Sequence, residues 1–159
     1  MRTSSIRSAF HLPGWFAQIY ADDRQWPQAA AVLRKSGVRV LVDHLGVRDI
    51  AVGPRDSGFQ AVLALGREGI ATVKLSSLFR VSRMLAGFDD LDPFVAELLN
   101  AFGVDGCIWG SDWPFINVPR RPVYADLLLP SSRWLPDPGD RARVLAHNPR
   151  RLFGFGDYS

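Results

Sequence analysis

The 159-residue chain predicts an α/β fold built from parallel βα units. Three observations support this. Short apolar runs, rich in β-branched or aromatic residues, recur at residues 15–20, 38–42, 71–75 and 107–110. Between them lie stretches whose apolar residues repeat every three or four positions, as on one face of a helix. Each run also ends in polar chemistry: Tyr20, then Asp43-His44, then Ser76 to Arg80, then Ser111-Asp112. Parallel α/β proteins collect their functional groups at the carboxyl ends of strands. Four such units with right-handed crossovers are half of an eight-stranded barrel or a small open sheet, and periodicity does not choose between them.

Taken in order, residues 1–12 are unpatterned and are expected to be a flexible, poorly anchored N-terminal end. The Pro13-Gly14 turn leads into the first strand, residues 15–20. Trp26, Ala29, Ala30 and Leu33 fall at i, i+3, i+4 and i+7, which predicts a helix that Gly37 terminates. The second strand runs into Asp43-His44-Leu45-Gly46, and a loop with Gly53, Pro54 and Gly58 precedes a helix over residues 59–67. The third strand opens into Ser76-Ser77-Leu78-Phe79-Arg80 and a loop reaching Asp92. Pro93 suits a first helical turn, with Phe94, Leu98 and Phe102 on one face after it. The fourth strand ends in Gly110-Ser111-Asp112-Trp113-Pro114, where Pro114 stops ladder pairing. A helix is expected near residues 124–129, and a last one over 140–153 that Pro149 breaks or kinks.

The composition narrows the class. With 47% hydrophobic and 22% charged residues the chain reads as a globular domain with a sizeable core. A net charge of +3 is spread out, with only Arg34-Lys35, Arg120-Arg121 and Arg150-Arg151 adjacent, so no nucleic-acid partner is expected. No apolar stretch reaches membrane-spanning length, and no membrane partner is expected. The single Cys107 sits in an apolar run, which suits an inert buried thiol in a reducing, cytoplasmic compartment.

Four motifs then point further. Val42-Asp43-His44-Leu45-Gly46, Val73-Lys74-Leu75-Ser76 with Arg80, Trp109-Gly110-Ser111-Asp112-Trp113-Pro114 and Asn148-Pro149-Arg150-Arg151-Leu152-Phe153 occur in this order. Together they resemble the amidohydrolase-related family, and within it the branch of 2-pyrone-4,6-dicarboxylate and sugar lactonases. The resemblance implies a (β/α)8 TIM barrel, of which residues 13–159 are the C-terminal half, roughly the last four βα units. The His-x-His pair of that family's first strand has no counterpart here, since His11 is isolated. Phe115 stands where many relatives carry His after Trp-Pro. The chain is therefore expected to be a truncated product, or to receive its first half from another polypeptide. Alone it is expected to self-associate and to show little activity.

The implied chemistry is hydrolysis of a cyclic ester, a lactone or dicarboxylate-type substrate bearing a carboxylate. Asp112 would take a proton from the attacking water and His44 would polarise the carbonyl or protonate. Arg80 would anchor the acid through its planar fork, and Tyr20 would hydrogen-bond the substrate or simply half-bury in the core. Lys74 reads as a strand-end structural lysine, and His11 and His147 as surface residues. One His and one Asp fall short of the three protein ligands of a catalytic zinc, so no metal or other cofactor is expected in this chain. A metal-dependent decarboxylase of the same superfamily, using a divalent ion such as zinc, and a non-catalytic half-barrel that only associates remain the alternatives.

Overall fold

The computed structural model describes residues 15–47 and 49–155. The expected flexible end at residues 1–12, including His11, lies outside them. Strands β1 (Phe16–Ile19), β2 (Arg39–Val42), β3 (Ala71–Ser76) and β4 (Cys107–Gly110) form one sheet in the order β1-β2-β3-β4. All three pairings are parallel. The register aligns Ile19, Val42, Val73 and Cys107 at one level across the sheet. Val42, Val73 and Cys107 belong to the main core, with Ile19 packed against it. Strand alternation assigns Gln18, Leu41, Thr72, Lys74 and Ile108 to the opposite face. Among the described residues β1 and β4 each have one strand neighbour, so the sheet has two edges.

Helix α1 (Trp26–Ser36) buries Trp26, Ala30 and Leu33 and ends at Gly37, whose φ of 69° is the left-handed cap that glycine adopts without strain. Helix α2 (Ser57–Arg67) starts two residues before its expected beginning. The Asp56 carboxylate accepts from the Gly58 and Phe59 amides, and this side-chain cap fixes the start. It buries Phe59, Val62, Leu63 and Leu65. Gly58 is required by close approach, because a Cβ there would lie 1.9 Å from the Asp23 carbonyl oxygen. The fully buried Phe59 side chain contributes about 1.5–3 kcal/mol of burial energy.

The stretch after β3 is a short helical turn, α3 (Leu78–Val81), where a loop is expected. Leu78 and Val81 anchor it to the core, and Arg80 projects from it. Helix α4 (Asp92–Phe102) follows, with Phe94, Val95 and Leu98 buried as its spacing requires. After β4 come α5 (Tyr124–Leu128), α6 (Pro130–Trp134), α7 (Pro138–Ala142) and α8 (Asn148–Phe153). Pro149 does not break the last helix. The preceding turn, Arg143–His147, widens to a π-helical one, and Pro149 sits in the first turn of α8. There its missing N–H costs no intrahelical bond. Asn148 is buried and its side-chain amide donates to the Val104 and Cys107 carbonyls at 2.9 Å each. The terminal Asn-Pro motif thus ties α8 beneath the amino end of β4, at the end of the sheet away from Asp112.

Candidate active site

The carboxyl ends of β2, β3 and β4 share a backbone feature. The residues His44, Ser77 and Asp112 just past the three strands have φ of 51°, 61° and 65°. Non-glycine residues in this region carry strain of order 1–3 kcal/mol, persist only where packing enforces them, and concentrate at functional sites. Here each left-handed residue turns the chain sharply out of its strand, and their three side chains meet.

Asp112 is held from β3 and α3. Its Oδ2 accepts from Ser77 Oγ at 2.8 Å and from Arg80 Nε at 2.7 Å. Its Oδ1 faces His44 Nε2 at 3.8 Å. Burial acts to raise the Asp112 pKa, but the hydrogen bonds from Arg80 and Ser77 and the positive neighbours outweigh it. The carboxyl is held below its ordinary range and is ionised at neutral pH. Arg80 also donates from Nη2 to the Ile116 carbonyl at 2.7 Å, tying the loop after Asp112 to α3. Part of the fork expected to bind substrate is thus engaged inside the protein.

His44 packs its ring edge-to-face with Tyr20, centroids 5.1 Å apart. Its Nδ1 lies 2.9 Å from Ser76 Oγ. Burial pushes the imidazole below its ordinary pKa, more than the carboxylates of Asp43 and Asp112 raise it, so the ring is neutral at pH 7. Under it lies a polar layer crossing three strands. Buried Asp43 accepts from Gln18 Nε2 at 2.7 Å, and Lys74 Nζ stands 2.8 Å from its other oxygen, aligned as an ion pair rather than a hydrogen bond.

Tyr20, His44, Arg80 and Asp112, each singled out in the sequence, therefore gather at one edge of the sheet. Lys74 is the structural, ion-paired lysine expected, and His147 lies on the surface. Cys107 is buried, its thiol pushed up to about 12 by desolvation, and is inert as a nucleophile. Ser76, Ser77, Asp43 and Gln18 carry contacts that sequence reasoning did not assign. Position at a strand's carboxyl end was the available signal for the two serines and for Asp43. For Gln18 there was none.

The chain belongs to the Amidohydrolase family, whose model matches residues 9–155. It is 34% identical over 118 residues to a 4-sulfomuconolactone hydrolase of Rhizobium radiobacter, covering 72% of this chain and 39% of that protein. It is 27% identical over 150 residues to a 2-pyrone-4,6-dicarboxylate hydrolase of Comamonas testosteroni, covering 88% of this chain and 49% of the relative. The chain thus spans about half the length of the curated relatives it matches. Among solved structures, a Pseudomonas putida protein assigned as a 2-pyrone-4,6-dicarboxylic acid hydrolase superposes with a TM-score of 0.77 at 24% identity. The match covers 91% of this chain and 53% of that one. The architecture is accordingly a partial (β/α)8 barrel of four βα units, which resolves the choice that periodicity left open. Among the described residues no helix is long and apolar enough to cross a membrane.

Proposed function

We propose that this chain carries the general-base half of a lactone-hydrolysing site. The observation that supports the reading is the arrangement of Asp112. One oxygen is held by Ser77 and Arg80, while the other is turned toward the His44 imidazole across 3.8 Å. In this reading Asp112 Oδ1 accepts a proton from water as that water's oxygen bonds to the lactone carbonyl carbon. The neutral His44 donates a hydrogen bond from Nε2 to the carbonyl oxygen as charge builds there. Collapse breaks the ring C–O bond, and the proton returns from Asp112 to the leaving ring oxygen. One lactone and one water give one hydroxy acid. Further N–H groups of the Arg80 fork would receive a substrate carboxylate, and Tyr20 would border the substrate.

The described residues fit a resident catalytic metal poorly, because no three His, Cys, Asp or Glu side chains converge among them. Asp112 Oδ2 and His44 Nδ1 are also engaged by protein partners. We therefore propose a step that this chain's own residues carry without a metal. The buried, unreactive Cys107 supports placement in the cytoplasm.

The edges of β1 and β4 support a further part of the proposal, that a complementary half-barrel completes the site. Apolar surface borders both flanks. Trp15 and Val32 are exposed beside β1, and Leu129 and Val123 are exposed on the segment after β4. The test is lactone hydrolysis by the chain with and without a co-expressed complementary half, followed by pH-stat. Turnover is expected only in the complemented assembly and falls by about 10²–10⁴-fold in Asp112→Asn. A complemented assembly that leaves sulfonated, carboxylated and sugar lactones intact refutes the hydrolase reading in favour of a non-catalytic half-barrel.

A further inference from the structure

The hydroxyl of Ser76 is 2.9 Å from His44 Nδ1, and Ser76 is 1% exposed at the carboxyl end of β3. A serine hydroxyl is one donor with two acceptor lone pairs, and a buried donor left unmade is costly. Among the described hydrogen bonds the imidazole nitrogen is the only partner of this hydroxyl, so the Ser76 proton is satisfied by pointing at Nδ1. A second, independent contact gives the same answer. The other ring nitrogen, Nε2, faces Asp112 Oδ1 at 3.8 Å. A lone pair directed at a carboxylate is repelled, whereas an N–H directed at it is attracted. Both sides of the ring therefore favour a proton on Nε2 and a lone pair on Nδ1.

The next residue does the same service for the acid. Ser77, also 1% exposed, has a left-handed backbone that sends its side chain to Asp112 Oδ2. Consecutive serines thus address the two groups that face one another. Were both residues extended, their side chains would lie on opposite faces of the sheet. The left-handed turn at Ser77 is what brings both to the same edge.

We propose that Ser76 is a positioning residue: its hydroxyl donates to Nδ1, holds His44 as the neutral Nε2–H tautomer, and so aims an N–H donor at the position beside Asp112 Oδ1. The inference rests on the proposed lactone chemistry for its use in turnover, but the tautomer stands apart from it. The groups facing the ring are Tyr20, Asp43, Lys74, Arg80 and Asp112.

The experiment is long-range ¹H–¹⁵N correlation on the full chain labelled in its three histidines, His11, His44 and His147. The His44→Gln variant assigns the His44 signals. The expected wild-type spectrum at neutral pH shows a pyrrole-type Nε2 and a pyridine-type Nδ1 shifted by an accepted hydrogen bond. Ser76→Ala moves the Nδ1 resonance to that of an unbonded lone pair and shifts the His44 titration to higher pH, and Ser76→Thr restores both. A pyrrole-type Nδ1 in the wild type overturns the proposal without any variant being needed. So does a Ser76→Ala spectrum identical to the wild type. In a complemented assembly that turns over lactone, Ser76→Ala lowers kcat about tenfold with KM unchanged, and Ser76→Thr recovers it. An active assembly whose kcat ignores Ser76→Ala overturns the positioning role. An assembly with no turnover refutes the hydrolase reading and leaves the spectrum to decide the tautomer.

Discussion

Replacing Asp112 by Asn keeps the side chain's shape and removes its charge, and the structure sets the size of both consequences. Two hydrogen bonds converge on Oδ2, one from Ser77 Oγ at 2.8 Å and one from the Arg80 guanidinium at 2.7 Å. Bonds to a charged group contribute about 1.5–3 kcal/mol and neutral ones about 0.5–1.5, so the Ser77 bond weakens by about 1 kcal/mol when the acceptor becomes an amide, while Arg80 loses its ion pair and keeps a hydrogen bond. The Asn amide nitrogen must then occupy the Oδ1 position, where it meets the Nε2–H of His44 as a second donor. The two changes together predict a loss of about 2 kcal/mol, or a Tm lowered by roughly 4–8 °C for a chain of this size. Turnover of a lactone by the complemented assembly is expected to fall by about 10²–10⁴-fold, the contribution of a positioned base. Calorimetry measures the first effect and initial rates by pH-stat the second. A variant that melts at the wild-type temperature and hydrolyses lactone at the wild-type rate would refute both the hydrogen-bond assignment and the role of Asp112.

Three further outcomes follow from the same geometry. Asn148→Ala leaves the Val104 and Cys107 carbonyls without their side-chain donor and should cost about 1–3 kcal/mol in denaturant unfolding, while leaving the His44 ring environment, read by ¹⁵N shifts, unchanged. Gly58→Ala drives a methyl into the Asp23 carbonyl and should destabilise by about 1–3 kcal/mol or more, seen as a lowered urea midpoint with the same m-value. The pH dependence has a definite sign. Burial depresses the folded His44 pKa below 6.5, so between that value and the lower folded one the unfolded chain binds more protons, and stability falls as pH drops through this window. Asp112 is depressed below 3.8, so its contribution is present above 3.8 and is lost only as pH falls through the lower folded value. Turnover should hold as pH passes down through 6.5 and decline only below it. A rate that rises as His44 becomes protonated would show that the imidazolium, not the neutral ring, is the working form.

Much of the chain's organisation is determined by local rules that a sequence displays directly. Short runs rich in apolar and β-branched residues placed the four strands to within a residue at each end, because the strand positions that face the core must be apolar. The spacing of Trp26, Ala30 and Leu33, with Gly37 after them, defined α1 for the same reason. That Tyr20, His44, Arg80 and Asp112 lie at one edge of the sheet was legible because polar groups at strand carboxyl ends stand out against such runs. Tertiary structure decided what those groups do to one another. Whether Arg80 points at substrate or at Asp112 depends on the α3 turn, whose four residues are too few to show helical periodicity. The Ser76 and Ser77 contacts depend on a left-handed backbone at a non-glycine residue, which local propensity disfavours and only packing enforces. Pro149 read as a helix breaker or kink, yet it sits in the first turn of α8 after a widened turn, beside Asn148, whose tether reaches residues more than forty positions away. Pattern reports which face is apolar; which side chains then meet is settled by long-range packing, and the chemistry of this site lies in those meetings.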